Sequence, residues 1–206
     1  MTTLLLARHG ETGWNREGRV QGWAAAALTD RGAEQARALG EWLGDAHTVD
    51  RLLSSDLERT RATAVTAREA AGGLPAPSFD GSLRERGFGV YQGFLADEMA
   101  ARFPDYDPSK SILTLDVDPL NGESVDAFCD RVERAWDGLT DAVADGETAV
   151  VVTHGGVLKL LRGLLTDRNP RDALARSSPP NCSVTEVRLD GGGPELVRYG
   201  ARPWRD

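Results

Sequence analysis

The chain has 206 residues, a formal net charge of -8, 40% hydrophobic and 27% charged residues. That size and balance fit one globular domain with room for an inserted lid. The acidic excess and the lack of any Lys/Arg-rich block argue against a nucleic-acid surface and against docking on anionic membranes. No apolar run approaches the ~20 residues that span a bilayer.

The N-terminus has no charged n-region and too short an apolar run for a signal peptide, so a cytoplasmic protein is expected. Cys129 and Cys182 lie far apart without metal-like spacing. One disulfide is arithmetically available, but free thiols fit a reducing compartment better.

Thr3 to Ala7 is a short apolar run suited to a strand buried on both faces, as in a parallel sheet. Arg8, His9 and Gly10 follow where that strand would emerge, and ligands bind just beyond the carboxyl ends of strands in open α/β sheets. Residues 10–28 read as a polar, Gly-rich loop. Thr29 is a plausible N-cap for a helix carrying Ala36, Leu39 and Leu43, with Gly44 as its expected stop. Val49 to Leu53 predicts a second strand. Ser54-Ser55-Asp56 reads as a turn and cap, before a helix that runs to about Ala71 with a thin apolar face of Leu57, Ala64, Ala67 and Ala71. Gly72-Gly73 would end it.

Residues 74–122 hold half of the prolines. Leu83 to Gly89 reads as a loop on the main domain. An insertion of approximately 90–122 follows, in which 94–120 looks like a small cap with one or two short helices. Glu123 to Val143 predicts the clearest helix, striped by Val125, Phe128, Val132, Trp136, Leu139 and Val143. Thr148 to Val152 is another buried strand, Thr153-His154-Gly155-Gly156 follows, and a helix with Val157, Leu160, Leu161 and Leu164 comes next. Ser183 to Leu189 and Glu195 to Tyr199 resemble strands joined through Gly191-Gly192-Gly193. The expected fold is a three-layer α/β/α sandwich with a mostly parallel central sheet and a small inserted cap, as one domain over 1–206.

His9 and His154 share one context: each follows an apolar strand and precedes glycine. Adjacent parallel strands would bring both imidazoles to one sheet edge. The Gly155-Gly156 turn opens a helix whose free N–H groups favour an anion. His47 has no such context and reads as a surface residue. A metal site is the rival for paired histidines, but Arg8 would repel a cation and no ligand cluster lies near either motif, so no metal is expected. Arg59, in the first turns of the helix after the second strand, starts from the same edge. With Arg8 it would offset phosphate charge, although a lone helix Arg is ordinarily a solvated one. Asn15 offers one more donor.

Arg-His-Gly-Glu-Thr-x-x-Asn (8–15), Gly-Arg-x-Gln-Gly (18–22), Leu-Thr-x-x-Gly (28–32) and Ser-Ser-Asp-Leu-x-Arg-Thr (54–60) together resemble the histidine phosphatase superfamily, phosphoglycerate mutase-like branch. Leu-x-Glu with a following Phe-Gly (83–89), Gly-Glu-Ser (122–124) and Val-Thr-His-Gly-Gly (152–156) extend the match in family order. The resemblance implies that His9 is a nucleophile forming a phosphohistidine. Arg8, Asn15, Arg59 and His154 match phosphate-binding positions, and Glu85 matches the proton donor. Gln21 and Gly22 match positions near the substrate, with Gly10 and Gly155 beside the two histidines. No cofactor is implied, the partner is a small phosphate ester, and a homodimer is family habit only.

Two departures stand out. The family often has an Asp and a Pro where this chain has Trp23-Ala24-Ala25-Ala26-Ala27. Cofactor-dependent mutases carry a Lys after the acid and an Arg-Arg pair in the cap, whereas no Lys lies between Glu85 and Met99 and no Arg-Arg pair occurs. The cap instead holds Asp97, Glu98, Asp105, Asp107, Asp116 and Asp118 against Arg102 and Lys110. Hydrolysis of a phosphomonoester is therefore expected, with a phosphoglycerate mutase as the alternative and a non-catalytic phosphate-binding protein as a further one.

Overall fold

A computed structural model describes residues 2–103, 106–107, 109–115 and 119–205. Asp105, Asp116 and Asp118 of the expected acidic cap lie outside the described residues. Six strands form one sheet in the order β3-β2-β4-β1-β5-β6. They are β1 (Thr2–Arg8), β2 (Arg51–Ser55), β3 (Ser78–Asp80), β4 (Thr148–Thr153), β5 (Val184–Asp190) and β6 (Gly193–Ala201). The first four strands in chain order run parallel to one another, while β5 is antiparallel to β1 and β6 to β5.

The apolar runs behave as doubly buried strands do. Leu4 and Leu6 of β1 join one core with Ala149 and Val151 of β4. Leu5 and Ala7 join a second core on the opposite face with Val150 and Val152. Side chains alternate across a strand, so each run supplies both cores.

Helices α2 (Asp30–Ala46) and α3 (Glu58–Ala71) cover the second core. Thr29 caps α2 as expected, its hydroxyl accepting from Gly32 N. Gly44 does not end this helix, which continues to Ala46. Gly40 and Gly44 lie instead where α3 approaches: an added Cβ would meet the Ala67 carbonyl oxygen at 2.1 Å and that of Ala71 at 2.7 Å, respectively. The thin alanine face of α3 matches these glycines, which let two helix backbones pack at close range. Gly72, at φ +69, ends α3 in the left-handed conformation.

The opposite face carries α5 (Val125–Ala142) and α6 (Gly155–Leu164). The predicted stripe of α5 is buried throughout, with Phe128 fully enclosed; a side chain of that size contributes about 2–3 kcal/mol on burial. Leu164 departs from its expected place and is exposed. Elements that went unpredicted include α1 (Gly13–Glu17) inside the polar loop, the three-residue β3, α7 (Pro170–Leu174) and the 3-10 turns Gly81–Leu83 and Gly89–Tyr91. All are too short to show a period. Ser54 and Ser55 belong to the end of β2, two residues beyond the expected strand, and Leu57 precedes α3 without a side-chain cap.

The cap segment contributes α4 (Ala96–Arg102) and a 3-10 turn at Ile112–Thr114. Met99, Leu113 and Leu115 belong to the same core as Leu6 and Phe128, with Phe94 and Phe103 packed against it. The described part of the cap is thus seated on the main core.

Candidate active site

The carboxyl ends of β1, β4 and β2 converge on one pocket floor. Arg8 lies opposite Thr153 in the β1–β4 register, so the two residues that follow the strands, His9 and His154, face each other. Their ring centroids are 5.3 Å apart.

His9 is 3% exposed, and its Nδ1 lies 2.7 Å from the Gly10 carbonyl oxygen. A carbonyl only accepts, so Nδ1 carries the proton and Nε2 keeps its lone pair. Burial, then the Arg59 and Arg8 guanidiniums, hold His9 well below the ordinary histidine range, against the opposing pull of the Gly10 carbonyl. Near neutral pH the ring is therefore neutral, with the Nε2 lone pair free.

Its loop is fixed by short-range chemistry that explains the Leu-Thr-x-x-Gly motif. Thr29 N donates to Glu11 O, Gln35 Oε1 accepts from Glu11 N, and Thr63 Oγ1 accepts from Gly10 N. A Cβ on Gly10 would meet Gly32 O at 2.6 Å, and one on Gly32 would meet Glu11 O at 2.1 Å. The glycine at each position allows the catalytic loop to rest on the start of α2.

His154 is fully buried and both of its ring nitrogens have partners. Arg59 Nη2 lies 3.2 Å from Nδ1, and Ser55 Oγ lies 2.9 Å from Nε2. Arginine can only donate, so Nδ1 accepts and Nε2–H donates to Ser55. Burial, Arg59, His9 and Arg8 hold this ring well below the usual range too. In this arrangement His154 and Arg59 are joined by a hydrogen bond, Arg59 donating to Nδ1.

Arg59 is 1% exposed, and burial pulls its guanidinium down to about 10, so it stays charged at neutral pH. It donates to the carbonyls of Gly22 (2.7 Å) and Ala24 (3.3 Å). The unusual Ala24–Ala27 loop therefore holds Arg59 through backbone atoms, which its side-chain differences leave intact. Arg8 donates to Pro179 O at 2.7 Å. The Nε–H groups of Arg8 and Arg59 are both buried without an acceptor. Unpaired buried donors are costly, and two on guanidiniums that both act on the His9 ring suit an oxyanion.

Glu85 joins from the loop after β3. Its Oε2 accepts from Gly156 N at 2.9 Å and its Oε1 from Arg86 N at 3.1 Å. The Glu85 carboxyl group thus takes up a free backbone N–H at the start of α6. Arg131 of α5 donates to the carbonyls of Ser82, Arg84 and Glu85, and pairs with Glu123 at 2.7 Å. Glu123 N in turn donates to Gly87 O, which accounts for the Gly-Glu-Ser motif as a brace for the Glu85 loop.

Asn15 sits in α1 with its Oδ1 accepting from Thr12 N, and Gln21 Oε1 accepts from Thr12 Oγ1. Asn181 donates to His9 O at 3.0 Å and to Asn15 Oδ1 at 3.3 Å. That second bond turns the Asn15 amide so that its NH₂ remains to donate. Gly22 has φ +54, and Gly155 lies beside Arg8, whose Nε would be 3.6 Å from an added Cβ. All ten predicted positions therefore meet around the two strand ends. Ser55, Thr63, Arg131 and Asn181 were missed. A polar residue at a strand end or on a helix face carries no local signal of the distant group it bonds.

Among the described residues no group of three or more His, Cys, Asp or Glu side chains could hold a metal ion, and no helix is long and apolar enough to cross a membrane. Cys129 and Cys182 are free thiols, and burial pushes them up to about 11 and about 12.

The arrangement has close counterparts. A metal-independent phosphoserine phosphatase of Arabidopsis thaliana is 34% identical over 193 residues, covering 92% of this chain and 77% of its own. Phosphoglycerate mutase-like protein 4 of the same plant is 38% identical over 159 residues, covering 77% of this chain and 68% of its own. The solved structure of Bacillus stearothermophilus YhfR superposes with a TM-score of 0.87 over the whole of both chains, at 33% identity. The family model of the histidine phosphatase superfamily (branch 1) matches residues 4–202. Two strand-end histidines, buried guanidiniums and a helix-bound carboxylate, together with that match, make the chain an enzyme of the histidine phosphatase superfamily, branch 1.

Proposed function

We propose that the chain hydrolyses a small phosphomonoester without a metal ion, through a phosphohistidine on His9. The observation that carries this reading is the His9 ring: Nδ1–H is held by the Gly10 carbonyl, which leaves the Nε2 lone pair beside two buried guanidiniums. His9 Nε2 attacks phosphorus, and the P–O bond to the leaving alcohol breaks. Glu85 delivers a proton to the departing oxygen, then removes one from the water that attacks the phosphohistidine. Phosphate leaves, and His9 and Glu85 return to their starting forms. Arg8 and Arg59 stabilise charge on the phosphoryl oxygens, the main task in this reaction class.

Hydrolysis is favoured over mutase transfer by the cap. Among its described residues, Arg102 stacks on Phe94 and Lys110 pairs with Asp107. The described part of the cap thus offers only these two cations, and no pair of adjacent arginines, toward a second anionic group. The name of the phosphoserine phosphatase relative points the same way.

His9→Ala is expected to abolish turnover of an aryl phosphate while leaving the far-UV spectrum and unfolding midpoint close to wild type. Vanadate inhibits the wild type and EDTA does not. Full activity in His9→Ala would remove the mechanism. Loss of activity in EDTA, restored by Zn²⁺ or Mg²⁺, would replace it with a metal-assisted one. Interconversion of phosphoglycerate isomers that depends on 2,3-bisphosphoglycerate would establish the mutase instead.

A further inference from the structure

Lys159 is one of only two lysines in the chain. It lies one turn beyond Gly155 on α6 and is 5% exposed, its Nζ donating, among the described residues, to Leu174 O alone at 3.1 Å. An ammonium carries three donors, so a single carbonyl leaves it under-satisfied. Burial holds it below the usual lysine range, while Glu85 pulls it up and Arg8 pushes it down.

Lys159 forms the inner wall of a small cavity of ≈ 30 Å³, whose other walls include Arg162, Arg168, Arg176 and Tyr199. Among the described residues none of these four cations is ion-paired with a carboxylate, in a chain whose acidic groups outnumber its basic ones. Arg162 lies 4.5 Å over the Tyr199 ring, which holds its guanidinium against another wall of the cavity. Like charges do not gather round one cavity without a cost in repulsion, and an anion removes that cost. Arg162, Arg168 and Arg176 are exposed, so the small cavity opens to solvent and admits a compact charged group between them.

We propose that the cavity bounded by Lys159, Arg162, Arg168, Arg176 and Tyr199 is a second oxyanion site, taking a single phosphate- or carboxylate-sized group. It is built by α6, the loop before α7, the segment after α7 and β6, and shares none of its walls with the His9 pocket. Arg8 is the link between them, acting electrostatically on both Lys159 and Tyr199. The bound group is either the second anion of the phosphate ester or a free inorganic ion; the recognition chemistry is the same. The site does not depend on the chemistry at His9, because its binding is measured without turnover.

The test is equilibrium dialysis of the full chain with radiolabelled sulfate, comparing wild type, Arg168→Ala/Arg176→Ala and Lys159→Met. The two arginines are exposed and none of their side-chain bonds hold the fold, so the double variant keeps its structure even where Lys159→Met loses some. Wild type is expected to bind one more sulfate per chain than either variant. Equal stoichiometry and affinity in all three would overturn the proposal. A parallel assay separates the sources. If KM for O-phosphoserine rises about tenfold in the double variant while KM for an aryl phosphate stays put, the group belongs to the substrate. If both KM values stay put while the extra sulfate is lost, the site takes a free ion.

Discussion

Gly156→Ala isolates the positioning of Glu85 from the integrity of the fold. Gly156 is the second residue of α6, and a Cβ there would stand 2.1 Å from Glu85 Oε1 and 2.9 Å from Leu113 Cδ2. An ordinary contact needs about 3.4 Å or more, so the carboxylate must retreat by roughly 1 Å. It is the far end of a flexible side chain, so the backbone need not move. The bond from Gly156 N to Oε2 lengthens or breaks, a loss of about 1.5–3 kcal/mol for a charge-assisted bond. Alanine returns up to ~1 kcal/mol of helix propensity over glycine. The net change in unfolding free energy is therefore expected to be about 0.5–2 kcal/mol by urea titration. Turnover responds far more, because misplacing a reacting group by about 1 Å costs on the order of 10²-fold. The measurement is kcat on an aryl phosphate with a quench assay for phosphohistidine; both steps should slow if Glu85 has the proposed roles of acid and then base. Unchanged kcat would refute the role given to Glu85. Destabilisation beyond about 4 kcal/mol would show that Gly156 is needed for packing against Leu113 rather than for the carboxylate.

Three further outcomes follow from the same geometry. Both buried histidines have depressed values in the folded chain. Above pH 6.5 neither state is protonated there; below it the unfolded chain takes up protons that the native one refuses. Stability should thus fall as pH drops from about 6.5, with a limiting slope near 2.7 kcal/mol per pH unit for the pair, and a flat urea midpoint between pH 6.5 and 5 would contradict it. Ser55→Ala strands the buried His154 Nε2–H, so a loss of about 1–3 kcal/mol is expected, with reduced kcat as Arg59 loosens; wild-type stability and rate together would show the Ser55 bond to be dispensable. Gly40→Ala drives a methyl into the Ala67 carbonyl and forces α2 from α3, a cost of about 2–4 kcal/mol with little change in KM; a stabilised variant would mean that the helices separate freely.

The chain's apolar strand runs, the α5 stripe, the Thr29 cap and the order of the short motifs could be read directly, because each is a local pattern with a fixed period or spacing. His9, His154, Arg8 and Arg59 could be read for the same reason: they stand beside strand ends whose adjacency the α/β alternation implies. Gly44 was misread because a glycine near the end of an apolar period looks like a stop, whereas its reason lies 27 residues on, at Ala71. The tautomers of both rings, the capture of Arg59 by Gly22 and Ala24, the brace of Arg131 and Glu123 behind Glu85, and the cations around Lys159 were decided only in three dimensions. Hydrogen bonds and charge act over a few ångströms of space regardless of sequence distance, so only the folded chain brings those partners within reach.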